Sequence, residues 1–260
     1  MLLFACTPTL RDLTAVPLNA MSKHKHHKEP KEEKAAIDAN IFKLAKIGDF
    51  GKTKELVEGG HGVHEVDEMG ATALIWAARG NRLDVVKFLL EQGADAEHKG
   101  FGGMTALHHA ANGMHEASLV ALLDAGADPN TTDDIGNTAM HLNASRGVMA
   151  IAMLLKDKGG DMNVQNKMGV TPLMKSAMNG QLTCAQRMLQ LGADANLADV
   201  DGNTALHYTA QGGFGGMCTW MVSQAGVKAD LKNAAGATAA QSASPQAAAA
   251  FRGVPAQPEA

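Results

Sequence analysis

Residues 100–132 read GFGGMTALHHAANGMHEASLVALLDAGADPNTT, and the pattern returns along the chain. Thr105 has counterparts at Thr72, Thr138, Thr171, Thr204 and Thr238, spaced by 33, 33, 33, 33 and 34 residues. The glycines two residues ahead keep step: Gly70, Gly103, Gly136, Gly169, Gly202 and Gly236. A second signal runs in phase with the first, as Gly93-Ala94-Asp95, Gly126-Ala127-Asp128, Gly159-Gly160-Asp161 and Gly192-Ala193-Asp194, and then Gly226 arrives one residue late. Two independent motifs on one period identify a chain built from copies of a single unit.

Each residue type in the unit has a physical task. The first glycine supplies the positive φ of a tight turn. The threonine stands where a helix begins and can cap orphan N–H groups. His108, His141 and His207 sit three residues further on, where a capping-box partner reaches back to the helix start. Small residues at Ala77-Ala78 and Ala110-Ala111 let neighbouring helices approach. Leu89-Leu90 and Leu122-Leu123 give a second helix its apolar face, and Gly93 and Gly126 end it. A unit of two short helices cannot bury its own apolar side, so the units must stack.

The motifs Thr-Ala-Leu-His at 105–108 and 204–207, Thr-Ala-Met-His at 138–141, Thr-Pro-Leu at 171–173 and Leu-Leu…Gly-Ala-Asp at 89–95 and 122–128 resemble those of the ankyrin-repeat family. The resemblance covers residues 36–243 and implies an all-α solenoid of helix–turn–helix units joined by β-hairpin-like finger loops. The expected division is an N-terminal capping unit at 36–66, repeats at 67–99, 100–132, 133–165, 166–198 and 199–233, and a C-terminal cap at 234–252. Ser244-Pro245 is expected to start a short helix through Phe251-Arg252. Five of the six copies depart from the family by carrying Ala where it prefers Pro (Ala73, Ala106, Ala139, Ala205, Ala239), and Ile75 and Met174 replace the motif His. Gly212, Gly213, Gly215 and Gly216 crowd the second helix of the last full unit, so residues 212–230 are expected to open most easily.

Composition agrees. Apolar residues make up 45% and charged residues 19%, as in a globular chain, and the net charge of −4 excludes a strongly basic nucleic-acid binder. Aromatics are only 4%, against 28 Gly and 15 Met, which suits close-packed short helices better than a large sheet. The three cysteines, Cys6, Cys184 and Cys218, are widely spaced and odd in number, so neither a disulfide framework nor a structural zinc is expected, and a cytoplasmic or nuclear location is. Residues 1–20 lack the charge and apolar length of a signal peptide and read as an extension ahead of Met21. Residues 21–35, with five Lys, three Glu and three His, read as a disordered polar tail, as do 253–260.

No catalytic constellation is present in the sequence. Asp49-Phe50-Gly51 spells a kinase magnesium motif without its companions, and Gly100-Phe101-Gly102-Gly103 is not a phosphate-binding loop. His61 and His64 lack the further ligands of a zinc site. Cys184 and Cys218 fall on second helices, where a small buried hydrophobe is expected. Asn130-Thr131-Thr132 and Asn143-Ala144-Ser145 spell glycosylation sequons by letter only. The reading is therefore a non-catalytic, cofactor-free and metal-free monomer that binds a protein and neither nucleic acid nor membrane.

The family resemblance places partner contacts on the concave face, at finger tips and the ends of first helices. In this chain those are Met69, Arg79, Phe101, Met104, Ile135, Arg146, Met168, Met178 and Val200. Several are apolar where a solvated loop would be polar, so they would form a discontinuous greasy stripe. Met suits an adaptable contact. The alternative functional readings are a substrate of an asparaginyl hydroxylase, for which the resemblance nominates Asn130, Asn163 and Asn196, and an assembly-chaperone-like ankyrin protein.

Overall fold

The computed structural model describes residues 40–252. The expectations for residues 1–20, 21–35 and 253–260 lie outside that range. Among the described residues twelve α-helices follow in pairs: α1 (Ile41–Ile47) and α2 (Phe50–Glu58), α3 (Ala73–Arg79) and α4 (Leu83–Glu91), α5 (Ala106–Asn112) and α6 (Glu116–Asp124), α7 (Ala139–Arg146) and α8 (Met149–Asp157), α9 (Pro172–Met178) and α10 (Leu182–Gln190), α11 (Ala205–Gln211) and α12 (Gly215–Val222). Among the described residues there is no named strand, only isolated antiparallel bridges at Val66–Thr72 and Lys232–Thr238.

The helices form two rows. First helices pack in the order α1, α3, α5, α7, α9, α11, and second helices in the order α2, α4, α6, α8, α10. The 33-residue period turns each unit's core position into a column through the stack. Leu74, Leu107, Met140, Leu173 and Leu206 form one in the first row, all at most 2% exposed. Leu89, Leu122, Leu155, Met188 and Met221 form its counterpart in the second row, all fully buried. Full burial of each such side chain contributes about 1.5–3 kcal/mol. Ala78, Ala111, Ala144, Ala177 and Ala210 line the inter-helix seam. Cys184, in register with Val85 and Ile151, and Cys218, in register with Leu119 and Ala185, are buried on the second helices, and burial pushes the Cys184 thiol up to about 11 and raises that of Cys218. They are core residues, as expected.

Helix starts follow the sequence reading. Thr138 N donates to His141 Nδ1 at 3.1 Å, and Thr105 N and Thr204 N donate to His108 Nδ1 and His207 Nδ1 at 3.2 Å. A second bond was not foreseen. Because Nδ1 accepts, the proton sits on Nε2, which donates forward to the next unit: His108 to Asn137 O (3.0 Å), His141 to Val170 O (2.9 Å) and His207 to Ala237 O (3.1 Å). Each histidine thus caps its own helix and ties it to the following finger.

The turn between paired helices also repeats. Gly48, Asn81, Met114, Gly147, Gly180 and Gly213 occupy one register with φ between 55° and 85°. This corrects the placement of two glycines of the last unit on its second helix. Gly212 ends α11 and Gly213 makes this turn, so only Gly215 and Gly216 lie within α12. A cleft of about 510 Å³, lined by Leu189, Gln190, Trp220 and Val227 among others, separates α10 from the end of α12, next to the late Gly226.

The C-terminal expectation also needs correcting. Residues 244–252 form no α-helix; turns lead into a single 3₁₀ turn at Ala248–Phe251, which packs on α12. Ser244 does not cap with its side chain. Its N–H donates to Ala210 O at 3.0 Å and its carbonyl accepts from Ala247 and Ala248, while its hydroxyl is buried without a partner. So short a segment gains little from helix propagation, and backbone ties to the preceding unit set its path.

Asn143 is the main blemish in the core. It shares a register with Ala77, Ala110, Ser176 and Thr209, and it is fully buried. The Ser176 and Thr209 hydroxyls donate to carbonyls three residues back, but neither amide atom of Asn143 has a partner. Such a group costs about 1–3 kcal/mol. Its burial also disposes of the sequon at 143–145.

Candidate functional site

The fingers are built from the backbone outward. In all but one of those described, one side chain organises the tip: Asp67 Oδ1 accepts from Met69 N and Ala71 N, both at 2.9 Å. Asp133, Asn166, Asp199 and Asn233 repeat this pattern with the residues two and four ahead. Adjacent tips are joined by Asp134 N to Gly102 O (2.9 Å), Lys167 N to Ile135 O (3.1 Å), Val200 N to Met168 O (3.1 Å) and Ala234 N to Asp201 O (2.9 Å). With the backbone satisfied in this way, the side chains one or two residues beyond the organising position are left exposed at the tip.

Those residues are the apolar tips singled out above. Phe101 is 71% exposed, Val200 67%, Met168 60%, Ile135 59% and Met69 49%. Met104 is half-buried. Arg79 and Arg146 are exposed and close α3 and α7. Met178 does not belong to the exposed stripe. It shares Arg79's register, but its flexible apolar side chain folds onto the core.

The finger at residues 100–104 departs from the others, and the departure shapes the site. Gly100 stands where Asp67 and Asp133 organise their tips. A Cβ there would meet Ile75 Cδ1 at 3.1 Å and Ala71 Cα at 3.4 Å, so the chain runs close against the preceding finger. The tip becomes a 3₁₀ turn at Phe101–Gly103 that lifts Phe101 clear. Between this finger and the one before lies a pocket of about 450 Å³. Ile75 and Trp76 lie at its base, Met69, Phe101 and Met104 form its apolar walls, and Arg79, Asn112 and Arg146 line it as well. It gathers five of the expected contact residues; Ile135, Met168 and Val200 continue along neighbouring tips.

Trp76 escaped the sequence reading. It is half-buried, its Nε1 donates to Asp67 Oδ2 at 2.7 Å, and Lys46 Nζ and the Arg79 guanidinium lie 4.7 and 5.1 Å from its ring centre. Tyr208 bonds Asp199 in the same way. The available signal was the register 76, 109, 142, 175, 208, occupied by Trp, His, Leu, Lys and Tyr, variation that a core position would not show. Burial raises the Asp67 pKa, but the bonds from Ala71, Trp76 and Met69 outweigh it and hold the carboxyl below its usual value. His109, on the pocket wall, is pulled down to about 4 by burial and then by the charges of Arg79 and His108.

Asn130, Asn163 and Asn196 form a ladder at the opposite end of the units. Each amide N–H donates to a glycine carbonyl of the next unit, Gly159, Gly192 and Gly226 at 3.0, 3.3 and 2.7 Å. Each Oδ1 accepts from Asp161 N, Asp194 N or Lys228 N at 2.8–2.9 Å. All three side chains therefore tie units together. Among the described residues no group of three or more His, Cys, Asp or Glu could hold a metal, and no helix is long and apolar enough to cross a membrane.

The family described as Ankyrin repeats (3 copies) matches residues 41–133 and 113–199, and that described as Ankyrin repeats (many copies) matches 177–222. The chain belongs to the ankyrin-repeat family. Its fold is that of an ankyrin solenoid, an architecture of protein–protein interaction. The ankyrin repeat domain of Bcl-3, a member of the IkappaB protein family, superposes with a TM-score of 0.71 at 26% identity, covering 82% of this chain and 97% of that one. Palmitoyltransferase ZDHHC17 of Danio rerio is 32% identical over 99 residues, which is 36% of this chain and 15% of that protein. Palmitoyltransferase ZDHHC13 of Homo sapiens is 41% identical over 63 residues, 24% of this chain and 10% of that protein. These ankyrin repeats thus match only a small part of the palmitoyltransferases.

Proposed function

We propose that this ankyrin-repeat chain is a non-catalytic adaptor, scaffold or inhibitor that holds a protein partner on its concave face, across the finger tips and the ends of the first helices. One observation carries this reading: Met69, Phe101, Ile135, Met168 and Val200 are each about half exposed or more on successive fingers whose backbones are already hydrogen-bonded. Exposed apolar side chains at or next to the same position on five successive fingers suit a surface kept for another molecule. The residues around them offer adaptable packing and hydrogen bonds rather than a nucleophile and base.

Truncation of Phe101 and Met168 together should weaken capture of the partner about tenfold or more, as loss of central anchors does. Thermal stability should barely change, because both side chains are exposed. The check is affinity purification with native and Phe101→Ala/Met168→Ala chains as bait, followed by titration of the captured protein. Equal affinity for the two baits would remove the partner from this face.

A further inference from the structure

We infer that the pocket between the Met69 and Phe101 fingers takes an acidic peptide segment carrying one large apolar side chain. The inference deepens the partner-binding reading and rests on it. The apolar half follows from the lining: Ile75, Trp76, Met69, Phe101 and Met104 give an apolar pocket wide enough to admit a bulky side chain. Burying such an anchor supplies apolar driving force.

The acidic half follows from the charges around it. Arg79 and Arg146 line the pocket and Lys46 lies over Trp76, whereas no carboxylate lines it. The described ion pairs are Lys52–Asp49, Lys54–Glu58, His61–Glu65 and Lys158–Asp124, so all three of these cations lack an acidic partner among the described residues. The nearest organising carboxylate, Asp67, accepts from the indole N–H of Trp76 and two backbone amides. The C-terminal ends of α3 and α7 offset part of the positive charge but supply no counter-ion. Arg79 lies against the Trp76 ring and Arg146 Nε is held by Asn112 Oδ1 at 3.3 Å, which orients both side chains before a ligand arrives. Pre-oriented guanidinium groups suit carboxylates, which they bind with charge-assisted bonds. The cations surround one apolar pocket and do not form the extended basic track that a nucleic-acid backbone requires.

The test uses the full chain and three fluorescein-labelled short peptides of Ser and Gly: one with a central Phe flanked by Glu, one with Lys replacing Glu, and one with Ala replacing Phe. Fluorescence anisotropy should show the Glu/Phe peptide binding about tenfold or more tighter than the other two, the scale of one charge-assisted contact or of one buried apolar anchor. Added salt should weaken it. Arg79→Gln/Arg146→Gln should abolish the preference for Glu over Lys with an unchanged melting temperature, since both side chains are exposed. Equal binding of the Glu and Lys peptides, binding by none, or a preference that survives in the double variant would overturn the inference. If capture of the natural partner still needed Phe101 and Met168 in that event, the binding face would stand and only the acidic ligand would fall.

Discussion

Lowering the pH from 7.5 to 5 should strip about 4 kcal/mol from the stability of the stack through His109 and His141 alone, at 1.36 kcal/mol per pH unit for each. Burial is the first cause of both depressed values and brings each to about 4, from an ordinary 6.5. At His141 the bond to Val170 O opposes burial without reversing it. Above pH 6.5 the imidazoles are neutral whether folded or unfolded, and stability does not respond. Between 6.5 and 4 the unfolded chain takes up protons that the folded chain refuses, so stability falls as the pH falls. Below about 4 the folded histidines protonate as well and their contribution to the slope ends. Asp67, held below its usual value, acts only under that window, where its protonation removes further stability. His108 is lowered for the same first reason and adds to the fall.

Urea denaturation across this range measures the effect. A His141→Gln chain separates it from general acid damage, because the stack already contains the substitute: Gln241 Oε1 accepts from Thr238 N at 2.9 Å in the last finger. That variant should lose about half of the fall that His109 and His141 produce together. A native chain equally stable at pH 7.5 and 5 would contradict the buried, neutral histidines.

Gly136→Ala should destabilise the stack by about 3 kcal/mol, and Gly159→Ala by only about 1 kcal/mol. Both glycines have positive φ, 83° and 92°. They differ in what a methyl group would meet. Around Gly159 nothing lies within 4 Å, so only the backbone preference is lost. At Gly136 the new Cβ would sit 2.8 Å from Lys167 N and 3.1 Å from Asn166 Cα. These are backbone atoms of the next finger, which cannot rotate aside. The fingers must part, losing the bonds from Lys167 N to Ile135 O and from Asn166 Nδ2 to Asn137 Oδ1. Chemical denaturation of the two variants gives the difference directly, and equal losses would contradict the finger-to-finger packing.

Much of the fold was legible because a strict period converts sequence register into spatial columns. Thr105 and His108 announce a helix start from local chemistry alone, and Leu89 and Leu122 announce the buried side. What the sequence hid are contacts spanning one period. His108 to Asn137 O, Asn130 to Gly159 O and Arg82 to Lys46 O join residues 29–36 apart, and their geometry depends on how units stack. Trp76 was missed in part for the same reason: the pocket it lines is completed by Phe101 and Met104 of the next unit, and Lys46 reaches its ring from the preceding one. Gly213 was misplaced because a glycine ending a turn and a glycine weakening a helix look alike until the register of Gly48, Gly147 and Gly180 is compared. The exposed tips were readable, since an apolar residue within two positions of a turn glycine has no core to enter. Met178 was not, because its helix-end position allows a long side chain to fold either way.

Hydrogen exchange of the chain with and without its captured partner tests the central claim most directly. Slowed exchange at residues 67–79, 100–112 and 133–146, the fingers and first helices around Trp76 and Phe101, is the predicted result. Slowing confined to the second helices α4, α6, α8 and α10, with those segments unchanged, would contradict it.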